Sequence, residues 1–355
     1  MRVLFIKLTS MGDLIHALPA LTDASRIIPG IKFDWVIDKN FSEVALWHPA
    51  VDKIITTRHR YWRKNLRESI QNGELSQFYH HLREKKYDLV IDGQTSMKSA
   101  LVTLLSRGPA HGLDKRCASE WTAALAYRKS YFIPKDWHAI QRLRMLLANA
   151  LNYTCPTSVP DYHIKDYPFS PLKFSLPKPY LLFVHNASWS SKMWPEDYWQ
   201  QLIKLAQIEG YHVLLPWGNS EEKKRAERIC SGQINAQVLP FCSLSEMACI
   251  LRGAAGAICS DTGLCHLAAA LDVPSITLYG STDPELIGSV GYNQQHLTSS
   301  FECFKCYRYE CDYGNQKHKE PVCLLHTKPE TVWKTFCSNL SQTILKNNYY
   351  DFVKS

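Results

Sequence analysis

The sequence predicts an α/β protein made of two doubly wound, Rossmann-like parallel-sheet domains in tandem. Three observations lead there. Short apolar runs alternate with segments of helical periodicity, the pattern of successive strand–helix crossovers. That pattern runs twice, either side of residues 166–179 (DYPFSPLKFSLPKP), which hold four prolines and little periodicity. And 355 residues with 45% hydrophobic and 21% charged side chains exceed one typical α/β core. The expected division is an N-terminal domain over 1–165, a linker over 166–179, a C-terminal domain over 180–328 and a helical tail over 329–355.

The first expected strand is 3–7 (VLFIK), then a loop holding Gly12, then a helix on which Leu14, Ile15, Leu18 and Leu21 recur at helical spacing. This N-terminus has the look of a secretory leader. Lys7 and Asp13 interrupt its apolar run and no small-residue cleavage site follows, so it reads as strand, loop and helix. Further strands are expected at 33–38, 53–56 and 88–92. After the linker they are expected at 180–186, 212–217, 236–240, 256–260 and 275–280. No run of 18 apolar residues occurs, so no membrane-spanning helix is expected.

The net charge of +8 is unevenly placed. Residues 1–150 carry 23 Lys and Arg against 14 Asp and Glu; residues 151–355 carry 18 against 19. The first half therefore calls for an acidic partner: a phosphorylated substrate, an anionic membrane or nucleic acid. Twelve cysteines in a long chain without a leader fit reduced, largely buried thiols in a cytoplasmic protein better than a disulfide framework.

Ligands of doubly wound sheets bind outside the carboxyl ends of the strands. Candidate residues are therefore sought in loops that follow strands. After the first strand, Gly12 permits a tight turn and Asp13 opens a helix at the mouth of the expected cleft. Asp13 is either a reactive carboxylate or a helix cap, with Thr9 and Ser10 available to share the capping. His16, one turn later, fits a local hydrogen-bond partner. In SDTGLCHLAAAL (260–271), Asp261, Thr262, Gly263 and His266 gather where a helix N-terminus offers free N–H groups and partial positive charge to an anion. No GxGxxG occurs, so a nicotinamide cofactor is not suggested. In HNASWSSKMWPEDYW (185–199), Ser188 offers a hydroxyl and Lys192 a charge to a phosphate. In LPWGNSEE (215–222), Glu222 suits ribose hydroxyls or, equally, the start of the next helix.

Two clusters remain. Residues 53–67 (KIITTRHRYWRKNLR) carry six Lys or Arg and no acid. Arg58, Arg60, Arg63 and Lys64, extended by Lys98, Lys115 and Arg116, form either a solvated basic face or the recognition surface for an anionic acceptor. Cys303-x2-Cys306-x4-Cys311-x11-Cys323 sets four thiols at short spacing. It reads as a structural zinc knot or as reduced cysteines in a surface loop, since the spacing is not the paired CxxC pattern.

Four segments together resemble the lipopolysaccharide heptosyltransferases: SMGDLIHALPAL, YDLVIDGQTSMKSAL (87–101), SKMWPEDYW, and DTGLCHLAAALDVPSITLYGSTDP (261–284). The likeness runs from residue 1 to about 290 and is closest to the type that adds the first heptose to Kdo. It implies a GT-B fold with two domains facing a cleft and an inverting transfer from ADP-L-glycero-D-manno-heptose to the Kdo of a Kdo–lipid A acceptor. It also implies work at the cytoplasmic face of the inner membrane, against an anionic surface, with no nucleic acid and no required cofactor. Asp13 is then the general base. Lys192, Ser188, Thr262, Gly263 and His266 contact the donor phosphates, and Asp261 and Glu222 help hold the nucleotide-sugar. The chain departs from the family where Ala187 and Ser188 replace a Thr-Thr pair and where Cys242 replaces a methionine near the adenine. Its tail cysteines look more like those of members that add the second heptose. The alternatives are such a later heptose transferase and a non-catalytic nucleotide-binding protein.

Overall fold

The computed structural model describes residues 1–354, with side chains through residue 343. The chain divides into two compact units, Met1–Tyr167 and Pro168–Ser355. The expected linker counts with the second unit from Pro168 onward. There Phe169 is buried and the Ser170 N–H donates to the Ser245 hydroxyl at 3.0 Å.

Unit 1 is a six-stranded parallel sheet: β1 (Arg2–Ile6), β2 (Lys32–Asp38), β3 (Val51–Thr57), β4 (Leu89–Asp92), β5 (Ala110–Leu113) and β6 (Lys129–Tyr131), in spatial order β3-β2-β1-β4-β5-β6. Unit 2 repeats the plan with β7 (Tyr180–Val184), β8 (His212–Leu215), β9 (Ala236–Val238), β10 (Gly256–Ser260), β11 (Ser275–Tyr279) and β12 (Gln294–Thr298), in order β12-β11-β10-β7-β8-β9. Central strands are covered on both faces, which is why they read as unbroken apolar runs: Val3 to Ile6, Leu181 to Phe183 and Ala257 to Cys259 are fully buried. In each sheet the order reverses beside the first strand, between β1 and β4 and between β7 and β10, the place where such sheets bind ligands.

The strands β5, β6 and β12 were not expected from the sequence. AHGL, KSY and QQHLT are short, and the latter two are polar and only partly covered. Their pairing comes from neighbouring strands rather than from their own patterning. The single helix expected after β1 is two, Met11–Ile15 and Leu18–Ile27. Pro19 stands in the first turn of the second, where its missing N–H is tolerated and its ring blocks continuation from the first.

Part of the family-like sequence is structural. Trp194 and Trp199 of SKMWPEDYW lie fully buried edge-to-face with centroids 5.1 Å apart. Trp199 also meets Phe183 of β7. Such pairs contribute about 0.5–1.5 kcal/mol each beyond their burial. They pin the helix Glu196–Ile208, and with it the loop that begins at His185, against the sheet.

Candidate active site

The loops at the β7/β10 switch point carry the most developed constellation. A turn over Ser190–Lys192 follows β7. The Lys192 ammonium lies 2.6 Å from the Asp261 carboxylate and 4.6 Å from the centroid of the Trp189 ring. Both charged side chains are largely enclosed, Lys192 at 12% exposure and Asp261 at 4%. The Thr282 hydroxyl, from the loop after β11, donates to the same Asp261 oxygen at 2.6 Å. Asp261 directly follows β10, and Thr262 is the N-cap of the helix Gly263–Ala270. Thr262 makes no side-chain capping bond, so its hydroxyl is not consumed by the helix. Gly263 is the first helical residue, and His266 is buried one turn on. An ammonium, a hydroxyl and a helix N-terminus thus converge outside the carboxyl end of the sheet, a combination suited to an anion.

Asp261, Cys265 and His266 also bring their ligand atoms within 4.8 Å of one another. The chemistry opposes a cation there. Asp261 is already neutralised by Lys192, and burial together with Asp261 pushes the Cys265 thiol up to about 12.

Ser188 is exposed in the loop between β7 and the Ser190 turn. Glu222 follows β8, where the sequence left two readings open. Its carboxylate accepts from the Gly218 N–H at 2.7 Å and from the Asn219 amide at 2.9 Å, while Asn219 caps the helix Ser220–Cys230. The local role is realised, and the carboxylate is held in place by it. Cys242 follows β9, its thiol donating to the Pro240 carbonyl at 3.3 Å and pushed up to about 11 by burial.

At the β1/β4 switch point the structure corrects one expectation. Ser10 does not free Asp13 from capping. Its N–H and hydroxyl both donate to one Asp13 oxygen, at 2.8 and 2.7 Å, so Asp13 is the acidic member of a capping box. The other oxygen faces the Lys7 ammonium at 3.6 Å. The carboxylate is still 44% exposed, while the Lys7 side chain is buried. Gly12, read in the sequence as permitting a tight turn, lies in the helix Met11–Ile15 and has no positive φ. His16 is buried with its ring edge-on to His138.

Gln94, which the sequence reading passed over, ties the two unit 1 loops together: its carbonyl accepts from the N–H groups of Leu8 and Thr9 at 3.0 and 3.2 Å. Beneath it, fully buried Asp92 accepts from the N–H groups of Gln94 and Thr95 and from the Tyr127 hydroxyl, and burial raises its carboxyl above the usual range. The segment 87–101 is thus partly scaffold for the loop that carries Asp13.

The basic cluster separates. Arg60 and Lys98 line a cavity of about 300 Å³ with Thr9, His59, Gln94 and Ser96. Arg63 and Lys64 are exposed beside it in sequence. Arg58 is different. It is paired with Glu74 at 2.8 Å and stacks on Tyr61, so the helix Glu74–Arg83 supplies the acid that 53–67 lacks. Arg116 is likewise engaged, at 2.6 Å from Asp114. Cys303, Cys306, Cys311 and Cys323 are free thiols around one cavity in unit 2.

Comparison with known proteins bears on what these loops hold. A model of glycosyltransferase family 9 (heptosyltransferase) matches residues 75–317. Lipopolysaccharide heptosyltransferase 1 of Pseudomonas aeruginosa is 44% identical over 342 residues, spanning 94% of this chain and 96% of that protein. Among solved structures, E. coli heptosyltransferase WaaC with ADP matches with a TM-score of 0.83 at 39% identity, over 96% of this chain and 100% of that one. E. coli WaaC with ADP-2-deoxy-2-fluoro heptose gives a TM-score of 0.81 at 38% identity with the same coverage.

Proposed function

Because the chain belongs to glycosyltransferase family 9, the heptosyltransferases, we propose that it moves L-glycero-D-manno-heptose from ADP-heptose to the Kdo of a Kdo–lipid A acceptor. It is a glycosyltransferase of the GT-B type, with two parallel six-stranded sheets flanked by helices. The observation that carries the donor assignment is the enclosed set of Lys192, Asp261 and Thr282 at the N-terminus of the helix Gly263–Ala270.

In this reading unit 2 holds ADP-heptose and unit 1 supplies the base and the acceptor contacts. Asp13 takes the proton of a Kdo hydroxyl, the 5-OH, as that oxygen forms its bond to the anomeric carbon of the heptose. The bond from that carbon to the diphosphate breaks on the opposite face, ADP leaves with the electron pair, and configuration inverts. Charge grows on the departing phosphate. Lys192, the Ser188 and Thr262 hydroxyls and the first N–H groups of the Gly263 helix stabilise it there. His266 contacts the donor phosphates from the same helix start, Asp261 and Glu222 help bind the nucleotide-sugar, and Cys242 stands where the family has a methionine near the adenine. The ammonium and helix terminus supply positive charge at the leaving group, so the scheme calls on no divalent ion.

Arg60, Arg63, Lys64 and Lys98 recognise the anionic acceptor. The surplus of basic residues over 1–150 favours the cytoplasmic face of the inner membrane. Among the described residues no helix is long and apolar enough to cross a membrane.

The test is product analysis with purified chain, ADP-heptose and Kdo–lipid A. The expected result is release of ADP with one heptose added to Kdo. Rejection of Kdo–lipid A with transfer to an acceptor already carrying heptose identifies a later transferase. Binding of ADP without transfer to either acceptor overturns the enzymatic reading.

A further inference from the structure

The four cysteines of the 303–323 segment line a single cavity of about 420 Å³, together with Ser191 and Ser281. They arrive from three pieces of backbone. Cys303 and Cys306 lie on the turn after β12, Cys311 is at an antiparallel bridge with His318, and Cys323 is on the helix Val322–Leu325. Cys323 is 3% exposed and belongs to the hydrophobic core of unit 2. Cys303 is partly buried and packs against the same core. Lys305 and Tyr307, either side of Cys306, hold left-handed backbone, φ 65° and 54°. Non-glycine residues adopt that conformation where the surroundings impose it, and such positions cluster at ligand clamps.

We propose that these cysteines form a tetrathiolate site for one divalent ion of the zinc class, and that the bound ion fixes the turn that presents Lys192. Four thiolates around a point select zinc or, by the same softness, iron. As the sulfurs stand, no three of them fall within 4.8 Å of one another. A tetrahedral site with bonds of about 2.3 Å brings them to about 3.8 Å apart. Metal binding therefore contracts the loop around Cys303 and Cys323.

The link to Lys192 is a set of backbone contacts between the second and third cysteines. The Arg308 carbonyl accepts from the Ser191 hydroxyl at 2.5 Å. The Tyr309 carbonyl accepts from the Ser191 N–H and the Ser190 hydroxyl, each at 3.2 Å. On the other side the Lys305 and Tyr307 N–H groups donate to the Gly280 and Ser281 carbonyls at 3.0 and 2.7 Å. Thus residues 305–309 clamp both the turn that ends in Lys192 and the loop that ends in Thr282. The metal orders a positioning segment and does not touch the reacting atoms.

The positioning half rests on the donor-site reading; the metal half does not. Full-length protein is expressed with added zinc and, separately, with added iron, and its metal is measured. About one ion per chain is expected by the four-ligand rule, and the favoured metal shows which of the two the site takes. Cobalt loading of the chelated protein should give the visible and near-ultraviolet bands of tetrahedral thiolate. Cys306→Ser and Cys311→Ser, at half-buried positions, should lose the metal while keeping native circular dichroism. Protein that is folded, metal-free and open to thiol reagents at all four positions overturns the site, as does metal that survives both variants. For the second half, chelated protein should bind ADP more weakly, by roughly 2- to 30-fold for a coupling of this kind. Unchanged ADP affinity after chelation overturns the positioning role and leaves the metal result standing on its own measurement.

Discussion

After β7 and β10 the charges are enclosed and paired: Lys192 and Asp261 sit 2.6 Å apart with little solvent access, and Thr282 completes the set. After β1 and β4, on a sheet of the same strand order, they stand in the open. Asp13 keeps nearly half its surface, and Arg60, Arg63, Lys64 and Lys98 are all exposed. In the proposed function, the contrast follows from what each loop set has to hold. A diphosphate is small, constant and strongly charged, so a fixed ammonium in a dry site serves it, and low local dielectric strengthens the contact. An acceptor at a lipid surface is large and approaches from outside, so its charges must remain reachable. Mutations in the two loop sets should therefore fail differently: losses of chemistry and of acceptor recognition in unit 1, and losses of donor affinity coupled to stability in unit 2.

The largest effect is expected at Asp13. Asp13→Asn retains an oxygen that accepts from the Ser10 N–H, so the capping geometry survives. It no longer takes a proton. Turnover per folded molecule should fall by about 10²–10⁴-fold, the usual worth of a positioned base, while ADP affinity stays near the parent value and the melting temperature falls only as far as buried Lys7 loses its carboxylate partner. Turnover and melting temperature measured on one preparation decide between base and cap. A drop in melting temperature with turnover per folded molecule preserved would leave Asp13 a capping residue only.

Lys192 comes next, and here two roles must be pulled apart. Removing one partner of a buried pair strands the other charge, at a cost of about 3–5 kcal/mol. Lys192→Ala should therefore lower both the melting temperature and ADP affinity. Adding Asp261→Asn removes the stranded charge and should restore stability without restoring ADP binding. Asp261→Asn alone, measured as the control, gives the share of donor binding that Asp261 itself supplies. If ADP affinity recovers along with stability in the double variant, Lys192 is a structural ion pair and not a phosphate ligand.

How much of this was legible in the sequence depended on the kind of signal. Enclosed strands such as VLFI and YLLFV announce themselves because both faces are covered. QQHLT and KSY do not, because edge strands carry little patterning of their own. Lys192 and Asp261 each stand out in the sequence, since each lies in a segment that follows a strand. Their pairing was not found, nor was Thr282, because contacts 69 and 21 residues distant in sequence leave no local trace. The basic run at 53–67 read as a single face. Glu74 divides it, since an acid one helix away takes Arg58 out of the exposed set. At Asp13 the sequence leaves base and cap open, and the structure shows the capping contacts made with the carboxylate still partly open to solvent.

The smallest of the three effects is expected on the exposed basic surface. Arg60 lines the cavity beside Gln94 and Lys98, and Arg63 follows three residues later on the same short helix, His59–Lys64. Neither has an ion-pair partner among the described salt bridges, so reversing both to Glu strands no buried charge and should leave the fold intact. The acceptor Michaelis constant should rise while the donor constant stays nearly unchanged, because the donor groups lie in the other unit's loops. Each exposed charge contributes little by itself, about 1 kcal/mol or less for a pair in water, so the rise should be modest. It should also shrink as salt is raised, since the Debye length falls from about 10 Å at 0.1 M to about 3 Å at 1 M. Arg58→Glu makes the contrast. It breaks the pair with Glu74 and should cost stability without the same salt-sensitive change in acceptor binding. An equal, salt-dependent effect from Arg58→Glu would return Arg58 to the acceptor surface. A change confined to the donor constant in the Arg60 and Arg63 variant would remove that surface from acceptor recognition altogether.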